Sequence, residues 1–192
     1  MILVFATANQ NKAKEIQSLI PDSIEILSLN DINCQEEIPE TQTTIEGNAY
    51  QKAYYVFEKY HKNCFADDTG LEIESLDWEP GVLSARYAGE SKDANENMDK
   101  VLSEMSGLKN RNARFKTVIS LIIDGMEIQF EGIVNGQILT EKKGSQGFGY
   151  DPIFLPDGFN ISFAEMGLSE KNKISHRALA VNKLVEYLNT LA

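Results

Sequence analysis

The sequence predicts an α/β domain that is built on a mixed β-sheet flanked by helices. An apolar run at 2–6 is followed by a polar turn and a helical pattern, which is the order of a strand–helix unit with parallel strands. Two long strand patterns, 115–124 and 126–134, meet at Asp124-Gly125 in the manner of an antiparallel hairpin. Parallel and antiparallel strands in one chain predict a mixed sheet.

Composition and charge exclude several classes of protein. The 192 residues are 42% hydrophobic and 24% charged, which are ordinary globular values, and we expect residues 1–192 to form a single domain. Against 18 Lys and Arg stand 29 Asp and Glu, giving a formal net charge of −11. This acidic excess argues against binding of duplex DNA or an anionic membrane, so we expect neither as a partner. The acidic excess does not exclude a small anionic ligand. Salt screens the field of each charge within about 8 Å, so the charges close to the ligand decide its binding.

The N-terminus and the cysteines indicate the compartment. The chain opens without a basic region or a long apolar core of a signal peptide, and no run of about 18 apolar residues occurs. Cys34 and Cys64 lack a paired spacing, so reduced thiols are favoured over a disulfide. We therefore expect a cytoplasmic protein.

The first elements follow from the pattern in chain order. The run at 2–6 is uninterrupted, which is typical of a strand buried on both faces. Cap-forming residues at 7–11 then begin a helix with an apolar stripe from Ile16 to Ile20. Residues 24–29 predict a second strand, and the acidic segment at 33–42 predicts a loop.

The middle and end of the chain continue the alternation. Thr43 to Glu46 is a capping-box signature that begins a helix. Strands are predicted at 64–66 and 71–76, on either side of a polar turn at 67–70. Residues 93–106 predict a helix with Gly107 as its C-cap, and Ser175 is placed to cap the last helix.

The first group that points to chemistry is Thr7-x-Asn9-x-x-Lys12-x-x-Glu15 at the first strand-to-helix turn. A helix N-terminus offers unpaired N–H groups and a positive dipole end, both of which favour a phosphate group. Lys12, on the first turn, can reach the same anion. A plain N-cap with a surface lysine is the alternative, since the glycines of a Walker-type loop are missing.

The second group is Asp67-Asp68-Thr69-Gly70, which follows an apolar strand. Carboxylates at a strand end are typical ligands of Mg²⁺, a hard cation that prefers oxygen donors. Because neighbouring strand residues face opposite ways, we expect one of the two aspartates to point into a given site. An Asx-turn leading into Gly70 is the alternative.

Two further groups lie near the C-terminus. Glycines flank Phe148 in the loop 144–151, so its ring is a possible stacking platform for a base, although a core plug is the alternative. Residues 171–177 gather Lys171, His176 and Arg177 at the start of the last helix. Cations are unfavourable at the positive end of a helix dipole, so they suggest an anionic or acceptor-rich partner; an ordinary helix-terminal histidine is the alternative. All four groups together describe a nucleoside polyphosphate site.

In this order, the four groups resemble the inosine triphosphate pyrophosphatase family, also called the Ham1-like family. The matching segments are 6–15, 48–53, 66–70, 80–81, 84–87, 147–154 and 174–177. The resemblance implies an elongated mixed β-sheet flanked by helices, with two lobes around a central cleft, and a homodimer. It further implies Mg²⁺-dependent cleavage of ITP, XTP and their deoxy forms to the monophosphate and pyrophosphate.

The resemblance also implies roles for individual residues. Asp68 would be the general base and, with Glu40, a metal ligand, and Phe148 would stack on the purine. The residues implied in substrate binding are Thr7, Ala8, Asn9, Gln10, Asn11, Lys12, Lys52, Thr69, Phe148, Gly149, Tyr150, Asp151, Lys171, His176 and Arg177. The chain departs from the family pattern at Gly47, where many members carry Glu, so Glu46 is the rival of Glu40 as ligand.

Two other functions remain open from the sequence. A Maf-like pyrophosphatase would act on pyrimidine or modified nucleotides. A non-catalytic nucleotide-binding regulator would keep Phe148 and Lys12 but would not need the metal-binding acids.

Overall fold

The computed structural model describes residues 1–191, which form six strands, five α-helices and five short 3₁₀ helices. The strands are β1 Ile2–Phe5, β2 Glu25–Leu27, β3 Cys64–Ile73, β4 Asn112–Ile123, β5 Met126–Ile138 and β6 Phe154–Pro156. The helices are α1 Gln10–Gln17, α2 Ile45–Tyr60, α3 Ala94–Glu104, α4 Leu168–Lys171 and α5 His176–Asn189.

The six strands form one sheet in the order β2-β1-β3-β4-β5-β6. β1 pairs in parallel with both β2 and β3, whereas β5 and β6 are antiparallel. This mixed sheet with helices confirms the predicted α/β class. The cleft between two lobes stays a prediction.

The chain divides into two compact units. Unit 1 comprises Met1–Asp68, Thr117–Gly132 and the chain from Arg177 onward, and unit 2 comprises Thr69–Lys116 and Ile133–His176. β3, β4 and β5 therefore contribute residues to both units. Whether residues 1–192 act as a single domain stays a prediction.

Unit 1 packs apolar side chains on both faces of β1. Leu3 and Phe5 belong to one apolar cluster, while Val4 and Ala6 belong to another. Successive strand side chains point to opposite faces, so an uninterrupted apolar run is what a strand covered on both faces requires. The Phe5 ring stacks on that of Phe65, with centroids 4.7 Å apart.

Unit 2 has an aromatic core. The ring centroid of Phe154 lies 4.6 Å from that of Phe115 and 5.3 Å from that of Phe163. From α3, Met98 and Val101 pack into the same cluster, since they stand three positions apart on one face of the helix.

One correction concerns β3, which carries both aspartates. The strands predicted at 64–66 and 71–76 are one strand, Cys64–Ile73, that runs through the predicted turn. Asp67 and Asp68 consequently lie within a strand and not at a strand end, and the Asx-turn alternative is wrong. Periodicity failed here because buried polar residues interrupt the apolar pattern that marks a strand.

Two helix boundaries also differ from the predictions. The N-cap of α2 is Thr44, whose hydroxyl accepts a hydrogen bond from the Gly47 N–H at 3.0 Å, so the capping box predicted at 43–46 is wrong. α3 ends with Met105 as C-cap, so the C-cap predicted at Gly107 is wrong; Gly107 follows two residues later with φ +77°.

The predicted turn at Asp124-Gly125 is confirmed, since both residues have positive φ as a two-residue hairpin turn requires.

Within residues 1–191, no helix combines the length and the apolar character needed to cross a membrane.

Cys34 and Cys64 are both free and buried, which agrees with the expected reduced thiols. Burial raises the pKa of Cys64 to about 12, so its thiol is protonated at neutral pH.

Candidate active site

The first candidate group surrounds the N-terminus of α1. Asn9 is the N-cap, and its side-chain oxygen accepts hydrogen bonds from the N–H groups of Asn11 and Lys12 at 3.0 and 3.3 Å. The Thr7 hydroxyl accepts from the Asn9 N–H at 3.1 Å. These side chains therefore shape the turn as acceptors, as in the plain N-cap alternative. Ala8, like Asn9, is exposed at this turn.

Lys12 is not the surface lysine of that alternative. Its side chain is only 14% exposed, and its ammonium lies 3.1 Å from Oδ2 of Asp67. Gln10 and Asn11, by contrast, are exposed. The cap thus fixes the first turn of α1 so that one cation of the helix points into the interior of unit 1.

Asp67 and Asp68 contact different cations. Asp67 accepts from Lys12, and Asp68 Oδ1 lies 3.3 Å from the ammonium of Lys52. Consecutive side chains of a strand point to opposite faces, which is why the two neighbours have different closest partners. Thr69, the next residue of β3, is half-buried.

Lys52 joins two carboxylates. It extends from α2 with its side chain 8% exposed, and its ammonium donates to Glu40 and contacts Asp68. Glu40 stands in the irregular segment before α2. This geometry brings Glu40, which only the family resemblance indicated, to the same ammonium group as Asp68.

Arg177 occupies a place that the sequence did not indicate. Its side chain is buried and belongs to unit 1, where the guanidinium donates to Glu15 and lies 3.4 Å from Oδ2 of Asp67. Glu15 and Asp67 belong to the first two groups identified in the sequence, but their pairing with Arg177 was not predicted. The spacing of Glu15, three residues after Lys12, places both residues on the same face of α1.

The charges of this group are nearly balanced. Among the described residues that join it, four carboxylates face three cations. They are Glu15, Glu40, Asp67 and Asp68, with Lys12, Lys52 and Arg177. Charges that leave water are stable only when they are paired and hydrogen-bonded, so this cluster holds its members in fixed positions.

Burial and neighbouring charges set the protonation of the two aspartates. Burial alone would raise the pKa of Asp67, but Lys12 and Arg177 outweigh it and lower that pKa to about 2. For Asp68, burial prevails over the opposing effect of Lys52, and the pKa is raised. Asp68 is thus the aspartate with the greater proton affinity.

Burial and neighbouring charges also shift the pKa values of Lys12 and Lys52, in opposite directions. Burial lowers the pKa of Lys12, although Asp67 partly offsets this effect. At Lys52 burial also acts to lower the pKa, but the carboxylates of Asp68 and Glu40 raise it further than burial lowers it. Lys52 is therefore held as an ammonium ion.

The carboxylates of this group suit a Mg²⁺ ion that is shared with substrate phosphates better than one that is enclosed by protein ligands alone. Among residues 1–191, no group of three or more His, Cys, Asp or Glu side chains is arranged to hold a metal ion. Glu40 and Asp68 nevertheless converge on one ammonium group. Mg²⁺ is commonly held by one or two carboxylates while substrate phosphates and water complete its shell, and this pair meets that requirement.

Unit 2 contains the second candidate group, around Phe148. The Phe148 N–H donates to Oδ2 of Asp151 at 2.9 Å, and the Lys171 ammonium donates to the same oxygen at 2.7 Å. Lys171 also lies 5.0 Å from the centroid of the Phe148 ring. Phe148 is half-buried, so it is not the core plug of the alternative interpretation.

The glycines of this loop allow its shape. Gly147 has φ +72°, and a Cβ atom there would collide with the carboxylate of Asp151. Gly149 has φ +63° with open space where its Cβ would stand. Gly147 is therefore required both by its backbone conformation and by the close approach of Asp151.

Tyr150 and His176 belong to the interior of unit 2. The Tyr150 hydroxyl donates to the Ser84 carbonyl at 2.7 Å, and burial raises the pKa of this phenol. The His176 ring is buried and stacks on Phe115, with centroids 4.5 Å apart. Tyr150 is a member of the apolar cluster of unit 2, and His176 packs on Phe115, another member of that cluster.

Comparison with known proteins identifies the family. The chain matches the model of the Ham1 family over residues 3–187. It is 57% identical to the dITP/XTP pyrophosphatase of Flavobacterium psychrophilum, covering 97% of this chain and 98% of the relative. It is 58% identical to the dITP/XTP pyrophosphatase of Christiangramia forsetii, covering 98% of this chain and 100% of the relative.

Solved structures agree with these sequence relatives. The Ham1 protein of Staphylococcus aureus superposes with a TM-score of 0.92 at 35% identity, with full coverage of both chains. The nucleoside-triphosphatase or dITP/XTP pyrophosphatase of Mycobacterium abscessus gives 0.80 at 37% identity, over 96% of this chain and 99% of the other. By its sequence and its fold, this chain belongs to the Ham1 family.

Proposed function

We propose that this chain is a nucleoside triphosphate pyrophosphatase that hydrolyses non-standard purine nucleotides, dITP, XTP and ITP, to the monophosphate and pyrophosphate. The observation that carries the proposal is the buried cluster in which Lys12 and Lys52 are held against Asp67 and Asp68. Relatives at 57–58% identity over nearly the whole chain are named dITP/XTP pyrophosphatases, and this supports the substrate class.

The triphosphate is assigned to the N-terminus of α1 and the two lysines. The positive end of a helix dipole favours an anion, and Lys12 and Lys52 supply full charges. The segment that would surround the phosphates consists of Thr7, Ala8, Asn9, Gln10, Asn11 and Lys12. We also assign Thr69 to substrate binding, because it follows Asp68 directly in β3.

We assign Mg²⁺ to the carboxylates of Glu40 and Asp68. When bound there, it would neutralise negative charge on the phosphate oxygens. Glu40 is favoured over Glu46 because the Glu40 carboxylate shares the ammonium of Lys52 with Asp68.

Asp68 is assigned as the general base. Its carboxylate would accept a proton from a water molecule that attacks the α-phosphorus, so that the bond from this phosphorus to the bridging oxygen breaks. Pyrophosphate leaves with its added negative charge close to Lys12 and Lys52, which lowers the free energy of the charged transition state.

The base is assigned to the Phe148 group. A purine would stack on the half-buried Phe148 ring, while Asp151 and Lys171 hold the loop. Gly149, Tyr150 and His176 complete this group, and their direct contact with the base stays a prediction. So does base recognition by Arg177, whose guanidinium contacts Glu15 and Asp67.

The remaining expectations belong to the same proposal. We propose that residues 1–192 act as one domain, and the family match over 3–187 supports this extent. We further propose a cytoplasmic homodimer that binds neither nucleic acid nor membranes, in keeping with the net charge of −11.

Product analysis tests the proposal. Incubation of dITP with the protein and Mg²⁺, followed by anion-exchange chromatography, is expected to give dIMP and pyrophosphate in equal amounts. Accumulation of dIDP and orthophosphate would assign the cut to another phosphate bond. Binding of dITP without any product would identify a nucleotide-binding regulator.

A further inference from the structure

Residues 40–42 lie along one face of α2, and each of them is bonded to a different residue of the helix. Glu40 accepts from the ammonium of Lys52. The Thr41 N–H donates to Oε1 of Gln51 at 2.9 Å, and Nε2 of Gln51 donates to the Thr41 hydroxyl at 2.9 Å. The N–H of the third residue, Gln42, donates to Oδ1 of Asn48, also at 2.9 Å.

The spacing of the helix residues explains this register. Asn48, Gln51 and Lys52 stand at positions i, i+3 and i+4, which share one face of a helix. Segment 40–42 has no regular secondary structure, yet two of its consecutive N–H groups are bonded by side chains of this face. The helix therefore fixes the backbone on the C-terminal side of Glu40.

Gly47 permits the close approach of this segment. A Cβ atom at position 47 would lie 2.8 Å from the Cβ of Gln42, a distance at which one of the two must move. Since a Cβ cannot rotate away as the end of a long side chain can, the backbone at Gln42 would have to shift. Glycine at 47 and the bonded position of segment 40–42 are thus linked.

The chain is also attached to α2 on the N-terminal side of Glu40. The carboxylate of Glu36 accepts from the hydroxyls of Tyr60 at 2.7 Å and Tyr55 at 3.1 Å, and from the ammonium of Lys59. These partners lie on the last turns of α2. Glu40 is consequently held between two attachments to one helix.

We propose that the reciprocal Gln51–Thr41 pair, called here the clasp, is a positioning device that sets the Glu40 carboxylate for a divalent cation. The inference rests on the proposed function, in which Glu40 and Asp68 hold Mg²⁺. Gln51 and Thr41 do not touch the ion. They act by removing the freedom of the backbone next to Glu40, so that less conformational entropy is lost when the carboxylate binds the ion.

Binding of Mn²⁺ alone to the whole chain, without nucleotide, tests the clasp. Free Mn²⁺ is followed by electron paramagnetic resonance, which reads metal affinity independently of turnover. Gln51→Ala removes both bonds of the clasp and is expected to weaken Mn²⁺ binding roughly tenfold, since loss of groups that orient metal ligands costs about 10–100-fold in affinity. Thr41→Ser keeps both bonds and is expected to bind like the wild type.

Kinetics separate positioning from a general loss of structure. With dITP, Gln51→Ala is expected to raise the half-saturating Mg²⁺ concentration by a similar factor while kcat at saturating Mg²⁺ stays within about twofold of wild type, since the ligands themselves are intact. Gln17→Ala is the matched control, because it makes the same change on an exposed position of α1. It should alter neither quantity.

Gly47→Ala is a second test variant, which is expected to favour formation of α2 but to weaken Mn²⁺ binding. Alanine is the better helix former, so α2 should remain folded by circular dichroism. The added Cβ displaces Gln42 and should weaken Mn²⁺ binding all the same. This variant keeps the inference testable if Gln51→Ala does not fold.

Two results would overturn the inference, and they differ in what else they affect. If Glu40→Gln weakens Mn²⁺ binding but folded Gln51→Ala and Gly47→Ala bind it normally, the clasp does not position Glu40 and the proposed metal site stands. If Glu40→Gln itself binds Mn²⁺ normally, the metal role proposed for Glu40 falls, and the inference with it.

Discussion

At the scale of single residues, burial and partners determine which chemistry a side chain can perform. Asp67 and Asp68 are neighbours in the sequence, yet Lys12 and Arg177 lower the pKa of Asp67, while burial raises that of Asp68. A carboxylate with low proton affinity is suited to holding cations, and one with higher affinity is suited to accepting a proton. Asp67 is therefore suited to holding Lys12 and Arg177, while the higher proton affinity of Asp68, the proposed metal ligand, suits it also to the proposed role of general base.

The role of Asp68 can be tested by removing its charge. Asp68→Asn keeps the size of the side chain but cannot accept a proton, so kcat for dITP is expected to fall about 10²–10⁴-fold. Release of pyrophosphate is the measurement, and circular dichroism checks the fold. Turnover near that of the wild type in a folded variant would remove Asp68 from catalysis.

Arg177 is expected to matter for stability. Arg177→Ala leaves the buried carboxylates of Glu15 and Asp67 without this cation, and the loss of one partner from a buried ion pair costs about 3–5 kcal/mol. Urea unfolding measures the change. Lys14→Ala, at an exposed position of α1, is the control and should change stability by less than about 0.5 kcal/mol. Equal stability of the two variants would contradict the structural role of the Arg177 pair.

Phe148 provides a separate test of base stacking. Phe148→Ala removes the ring, and because stacking on an aromatic side chain contributes about 1–3 kcal/mol per base, KM for dITP is expected to rise roughly 5–150-fold. Steady-state kinetics give the value. Phe148→Tyr keeps a ring and should stay close to wild type. An unchanged KM in the alanine variant would show that the base binds elsewhere.

Some of these residues could be predicted from the sequence, and others could not. Lys12 and Asp68 were indicated because each belongs to a short local pattern, a strand-to-helix turn or a run of acids after an apolar strand. The pairing of Arg177 with Glu15 and Asp67 was missed because both carboxylates are distant from Arg177 in the chain. Only tertiary folding brings the three together, and no local spacing encodes that meeting.

At the scale of elements, long periodic patterns predicted strands and helices well, while their ends were less certain. The uninterrupted apolar run at 2–6 gave β1, Ile2–Phe5, because a strand that is covered on both faces has no polar side. β3 was divided in two because its aspartates look like a turn. In the folded protein their charges are paired with lysines, so the strand continues through them.

The Phe148 loop gives an element-scale prediction through Gly147. Gly147→Ala meets both a left-handed backbone, which costs about 1–2 kcal/mol, and the carboxylate of Asp151. Gly158→Ala has a similar φ of +82° but open space, so it carries the backbone cost alone. We expect Gly147→Ala to lose more stability in urea unfolding and also to raise KM for dITP. The same loss of stability and an unchanged KM in both variants would contradict the role of Asp151 in holding the loop.

At the scale of the whole molecule, the net charge of −11 does not describe the candidate site. Lys12, Lys52 and Arg177 lie within unit 1 against the buried acids Asp67, Asp68 and Glu15. Because salt screens exposed charges over about 8 Å, the acidic surplus elsewhere does not prevent a triphosphate from binding beside these cations. The same surplus still opposes the extended contacts that a polynucleotide requires.

Release of pyrophosphate from a panel of nucleoside triphosphates, with and without Mg²⁺, tests the central claim most directly. We expect dITP, XTP and ITP to be cleaved much faster than ATP, dTTP or UTP, by as much as roughly 10⁴-fold where buried hydrogen-bonding groups would be left unpaired. Removal of Mg²⁺ with EDTA should abolish the activity. Faster cleavage of dTTP or UTP, or no pyrophosphate from any purine nucleotide, would contradict the proposed function.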